Sequence, residues 1–237
     1  MHCRLCRGPD PLRRSHIIPE FLYESMYDVK HRFHVLSIVP SQENALKQKG
    51  LYEELLCDRC EQLLSKWERY ASLVLKGGVP LTANRESNLW HVSGIDYVQF
   101  KLFQLSVLWR ASVSGLQFFE NVALGAHEER LRQMLLSADP GDTATYGCIM
   151  FGLQFNGEVV TDLMVQPGRI RLQGHIAYRF IFGGFLWAYV VSSHPIPKIL
   201  ERAFLQPSGS SLFLVKDANT AANLVGFGQE LMRLSRL

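Results

Sequence analysis

The run Leu55-Leu56-Cys57-Asp58-Arg59-Cys60-Glu61 decides how the front of this chain is built. From Asp58 onward, Leu63, Leu64, Trp67, Tyr70, Ala71 and Val74 recur at helical spacing, so this cysteine pair stands at a loop-to-helix junction. Gly77-Gly78 then supplies the backbone freedom that ends a helix. A matching pair, Cys3-Arg4-Leu5-Cys6, opens the chain. Two residues between cysteines let one turn present both thiolates to one ion. Two such turns complete a closed tetrahedral sulfur site, the structural type for zinc. Cys3, Cys6, Cys57 and Cys60 are therefore the candidate metal ligands, with Zn²⁺ as a structural cofactor. Two redox dithiols or four buried free thiols are the competing interpretations. Cys148, in a predicted strand, is expected to be an inert core thiol.

The composition limits what surrounds this site. Of 237 residues, 47% are hydrophobic, which excludes wholesale disorder, while 18 Gly and 5 Cys exclude collagen-like and disulfide-dense classes. The N-terminus has no charged segment followed by an apolar run, so secretion is not expected and metal binding is favoured over disulfides. The longest apolar run, Phe180 to Val191, is shorter than the ~20 residues of a spanning helix. A soluble cytoplasmic chain with no membrane partner is the expectation. The net charge of +3 is mild, yet Arg4, Arg7, Arg13 and Arg14 against Asp10 place an equal excess before Ser15. Lys30, His31, Arg32, Lys47 and Lys49 extend that bias, which suits phosphate contact more than base readout.

Three regions follow. Residues 1–78 hold the cysteine pairs, a predicted helix over Ile18–Tyr27 with Pro19 in its first turn, and a short strand over His34–Val39. A polar connector over Gly77–Gly94 separates them from residues 79–237, a helical spacer joined to an α+β domain. There the 3.6-residue period predicts a helix over 97–111, buried on most sides, and a charged amphipathic one over Ala126–Ala138, stopped by Asp139-Pro140-Gly141. Trp109, Phe100 and Phe103 are core by this spacing, and His91, His127, His175 and His194 lack ligand spacing. The period then changes. Tyr146–Phe155 and Val159–Val165 flank Asn156-Gly157, and Tyr178–Phe182 and Phe185–Val191 flank Gly183-Gly184, which predicts two hairpins. Pro167-Gly168 is expected to turn the chain into Ile170–Leu172. A helix over Ile196–Phe204, a strand over Ser211–Val215 and a closing helix over Asn219–Leu237 complete an α+β fold with a largely antiparallel sheet.

Between the cysteine pairs lies Arg13-Arg14-Ser15-His16-Ile17-Ile18-Pro19. With Cys3/Cys6 before it and Cys57-Asp58-Arg59-Cys60-Glu61 after it, residues 1 to about 76 resemble the zinc-containing, treble-clef HNH (ββα-metal) endonucleases. The rest of the chain resembles uncharacterised bacterial proteins with an HNH-like front end. The resemblance implies a treble-clef module and cleavage of DNA, or less readily RNA. It gives His16 as the base that activates water and implies a second divalent ion such as Mg²⁺; Glu61 is the residue available here to help hold that ion, and the local excess of positive charge offers Arg13 and Arg14 to position the phosphate. The sequence departs from the pattern at three places. Ser15 replaces the acidic ligand, Glu61 stands where Asn or His is usual, and the middle Asn would fall near Tyr52, the nearest asparagine being Asn44. A neutral hydroxyl is a poor substitute for a carboxylate on Mg²⁺. The alternative is a non-catalytic, zinc-stapled adaptor that binds nucleic acid or protein, with the C-terminal domain as a surface for a partner or a second copy. By analogy with HNH modules joined to other domains, bacterial antiviral defence is the implied setting.

Overall fold

The computed structural model describes residues 2–36, 45–48, 50–87 and 89–217. The expected closing helix, Lys49 and the end of the strand expected over His34–Val39 lie outside these residues. The chain opens on a tight turn in which the Cys3 N–H donates to Gly8 O at 3.0 Å and the Arg7 N–H donates to Cys3 O at 2.8 Å. Among the described residues of the first third, four strands follow: β1 (Leu12–His16), β2 (Arg32–Leu36), β3 (Ala45–Gln48) and β4 (Tyr52–Cys57). β1 and β4 form a separate antiparallel ladder from Leu12↔Cys57 to His16↔Tyr52, with a register shift between Arg13 and Arg14. β4 runs directly into α1 (Asp58–Leu75). The second cysteine pair therefore sits at a strand-to-helix junction, not the loop-to-helix junction expected. Leu55, Leu56 and Cys57 are buried in succession, so β4 carries no period-2 signal at the sequence level.

The helix expected over Ile18–Tyr27 folds instead as two single-turn 3-10 helices, Glu20–Leu22 and Glu24–Met26. Their i→i+3 bonds, Tyr23 N–H to Glu20 O and Met26 N–H to Tyr23 O, tighten the backbone. This brings Tyr23 into the core, where its hydroxyl accepts the Leu51 N–H at 3.1 Å.

The remaining elements are β5 (Thr82–Glu86), β6 (Leu89–Ser93), α2 (Tyr97–Val113), α3 (Ala126–Ser137), β7 (Cys148–Phe155), β8 (Glu158–Val159), β9 (Met164–Leu172), β10 (His175–Phe182), β11 (Phe185–Val190), α4 (Lys198–Glu201) and β12 (Ser211–Asp217). They build, with β2 and β3, a ten-stranded sheet in the order β3-β2-β9-β10-β11-β7-β12-β6-β5, with β8 attached to β7. Among the described residues only β2/β9 and β12/β7 pair in parallel. The α+β class with a mostly antiparallel sheet is thus present. Along β7 the period-2 alternation places Cys148 and Met150 in one apolar cluster and Ile149, Phe151 and Leu153 in another. The first cluster holds α2, in which every residue from Phe100 to Ala111 is buried, and also Cys3, Leu56 and Cys57 from the front of the chain. The second is closed by Leu200, Ala203 and Phe204 around α4.

Helices α1, α2 and α3 match the periodicity, and the Gly183-Gly184 hairpin joins β10 to β11 with both glycines at positive φ. Other expectations are corrected. The polar connector contains the hairpin β5–β6, an edge of the main sheet. Asn156-Gly157 does make a hairpin, but β8 pairs with β7 over only Gln154↔Val159 and Phe155↔Glu158 before β9 leaves for β10 and β2. Pro167-Gly168 is no turn. It lies inside β9 opposite the register shift at Arg179/Ile181, where an imide without an N–H is tolerated. The reversal comes at Gln173-Gly174, both at positive φ. The helix expected over Ile196–Phe204 is reduced to Lys198–Glu201.

Candidate metal centre and the His16 site

The two cysteine pairs converge. The Sγ atoms of Cys3, Cys6, Cys57 and Cys60 all lie within 4.8 Å of one another, and none is in a disulfide. Cys6 Sγ and Cys57 Sγ are 3.7 Å apart. A tetrahedral ion with Zn–S bonds of ~2.3 Å requires neighbouring sulfurs about 3.8 Å apart, so the donor set fits zinc in both chemistry and spacing. Backbone donors reach the cluster as well: Gly8 N–H to Cys6 Sγ at 3.4 Å and Cys57 N–H to Cys3 Sγ at 3.3 Å. Burial alone would raise the Cys3 thiol, but backbone N–H groups from Cys57, Cys6 and Leu5 bring it down to about 7. Burial and the neighbouring sulfurs push Cys60 upward. Thiols crowded in this way resist shared ionisation until a cation joins them, and a bound divalent ion reverses that balance. Cys148 stands apart, fully buried with its thiol pushed up by desolvation.

The ladder that begins beside Cys57 carries the Ser-His motif. Ser15 is fully buried. Its Oγ accepts the Leu56 N–H at 3.1 Å and faces Arg13 O at 3.4 Å, spanning the β1–β4 irregularity. His16, one residue on, has about a third of its side chain exposed, and its Nε2 lies 2.7 Å from Glu20 Oε2. The Tyr27 hydroxyl donates to the other oxygen of Glu20 at 2.8 Å. The His16 ring packs between Tyr52 (5.9 Å between centroids) and Tyr23 (6.4 Å). Gly50 closes against it, since a Cβ there would stand 2.9 Å from both His16 Cδ2 and Tyr23 Cε2. Behind it, the buried Arg110 on α2 donates through Nη1 to His16 O at 2.7 Å and pairs with Glu68 of α1 at 2.7 Å. The imidazole is therefore fixed by strand, aromatic walls and carboxylate together. With Nε2–H donating to Glu20, the lone pair resides on Nδ1, a tautomer assigned from its partner.

No protein-family model, curated protein or solved structure matches this chain. The expected residues separate into three groups. The four cysteines come together. Arg13 pairs with Asp58 at 3.1 Å, while Arg14 stacks over the Tyr52 ring at 3.8 Å, beside His16. Glu61, in the first turn of α1, has Oε1 buried without a hydrogen-bond partner among the described residues, and the carboxylate that meets His16 is Glu20. Ser15, already engaged by the backbone, does not fit a catalytic metal site. Sequence reasoning missed Glu20 and Tyr27. The i,i+4 spacing of His16 and Glu20 was the available signal, obscured by the helix expected there. No helix among the described residues is long and apolar enough to cross a membrane.

Proposed function

We propose that this chain carries a zinc-stapled, HNH-like module of treble-clef form that engages nucleic acid, with His16 acting as general base in phosphodiester hydrolysis. The observation that carries the proposal is the His16–Glu20 contact of 2.7 Å on a partly exposed imidazole, held at the opposite end of the β1–β4 ladder from Cys57. A base of this kind needs a lone pair near neutral pKa, access to water and an orienting partner. Nδ1 of His16 would take one proton of the attacking water as its oxygen bonds to phosphorus and the bond to the leaving ester oxygen breaks, that oxygen taking a proton from solvent, while Glu20 stabilises the resulting imidazolium. Arg14, stacked beside His16, offers its guanidinium edge to a phosphate oxygen. The four cysteines hold the scaffold ion and take no part in proton transfer. DNA is the favoured substrate, and bacterial antiviral defence the setting the HNH-like motif implies.

The burial of Ser15 favours a second reading, a non-catalytic nucleic-acid-binding or protein-interaction adaptor, because the motif's acidic ligand is replaced by a backbone-bonding hydroxyl. A plasmid-nicking assay with Mg²⁺, Mn²⁺ or Ni²⁺ separates the two. The nuclease reading predicts cutting by wild type and a loss of at least about 100-fold in His16→Ala, with a smaller loss in Glu20→Gln. Equal cutting by His16→Ala contradicts the base assignment. Retained DNA binding without cutting by any variant supports the adaptor.

A further inference from the structure

A second polar site lies outside the motif. The β9–β10 turn, the end of β11 and the start of α3 enclose a cleft of ≈ 560 Å³ lined by Arg171, His175, Ser192, Ser193, His194 and His127 among others, with no carboxylate in its lining among the described residues. These groups are organised by one another. Arg171 Nη1 donates to Gly174 O at 3.0 Å, which folds the guanidinium back over the Gln173-Gly174 turn and leaves its other N–H donors available. Ser192 Oγ lies 2.9 Å from His175 Nδ1 and accepts the His194 N–H at 3.1 Å. His127 bridges Tyr146 Oη at 3.0 Å and Ser193 Oγ at 3.4 Å through its two ring nitrogens.

We propose that this cleft binds the phosphate group of a small phosphomonoester. His175, His194, the hydroxyls of Ser192 and Ser193 and the Arg171 guanidinium line one cleft, His127 orients Ser193, and no carboxylate faces them among the described residues; that set matches an oxyanion with several acceptor oxygens. A metal ion is disfavoured by the fixed charge of Arg171, and the His nitrogens are shared with hydroxyls rather than gathered around a point. The forked guanidinium selects tetrahedral or planar oxyanions over halide. The cleft's size admits a mononucleotide-scale ligand rather than a duplex. The site is independent of the nuclease reading, since it uses none of the residues around His16.

The test titrates inorganic phosphate, then adenosine monophosphate, into the whole chain while histidine ring resonances are followed by NMR, with matched chloride as the ionic control. Saturable shifts are expected at His127, His175 and His194 but not at His16. Phosphate binding should weaken at least about tenfold in Arg171→Ala/Ser193→Ala. Both side chains are exposed, so an unchanged melting curve verifies that the variant is folded. Tighter binding of the monophosphate than of phosphate supports the small-ligand assignment. Absence of saturable shifts, or equal affinity in the folded double variant, overturns the site. Displacement of adenosine monophosphate from these histidines by a short DNA duplex at lower concentration overturns the ligand class.

Discussion

Ser15 and His16 are adjacent in β1 but face different surroundings, and the difference decides what each can do. The Ser15 hydroxyl is buried and occupied by the Leu56 N–H. Ser15→Ala should lower stability by about 1–3 kcal/mol, because a buried backbone donor loses its acceptor. Restoring an acidic residue with Ser15→Asp should lower it further, since an anion would enter a slot sized for a hydroxyl. Urea melts of the two variants check both statements; a Ser15→Asp protein as stable as wild type would contradict this account of the motif. The sequence identified the pair, because Ser-His-Ile-Ile-Pro between two cysteine pairs is distinctive. It could not show that the serine faces inward, which depends on the register shift between Arg13 and Arg14. Nor could it show that Glu20 reaches His16, which depends on replacing a helix by 3-10 turns.

Among the elements, α2 was legible because apolar residues occupy eight of the twelve positions from Phe100 to Ala111 and spread around the helix. Its polar residues then need partners, and they have them: Ser106 bonds Phe103 O at 2.7 Å, Arg110 pairs with Glu68, and Lys101 Nζ donates to Thr143 O at 3.3 Å. Lys101 is the weakest of these arrangements. Desolvation pushes its pKa down from 10.5 to about 8, so the folded protein binds that proton less tightly than the unfolded chain. The penalty is complete below about pH 8 and is relieved as pH rises from about 8 toward 10.5, where only the unfolded chain remains protonated. Lys101→Met should therefore raise stability at neutral pH by roughly 1–3 kcal/mol and remove the rising limb over that interval. Denaturant melts at pH 7 and pH 9.5 test this, and an unchanged pH slope would contradict it. Edge strand β5 was illegible for the opposite reason. All five of its residues, Thr82 to Glu86, are exposed, so no apolar alternation marks it, and its charged Arg85 and Glu86 suit the rim of a sheet. The Gln173-Gly174 reversal was masked by the stronger turn signal of Pro167-Gly168 nearby, which the fold uses as a bulge.

Across the whole molecule, a separate β1–β4 ladder and a large sheet share one apolar cluster, and the four cysteines tie the opening turn to the start of α1. The opening residues are attached elsewhere too, by the fully buried Leu5 and by the Arg7–Glu129 ion pair to α3. Arg4 N–H reaches Leu55 O at 3.0 Å, and Arg132 of α3 donates to Leu5 O. A metal ion bound by the cysteines would add to these attachments in holding the platform on which His16 and Arg14 are displayed, and the cysteine spacing made that platform readable before the sheet was. The most direct test is elemental analysis of the purified chain, wild type beside Cys57→Ser, combined with thermal melting. The account predicts one tightly held zinc per wild-type chain, and loss of both the zinc and several kcal/mol of stability in the variant. A wild-type chain that takes up no zinc and melts identically to Cys57→Ser would contradict it.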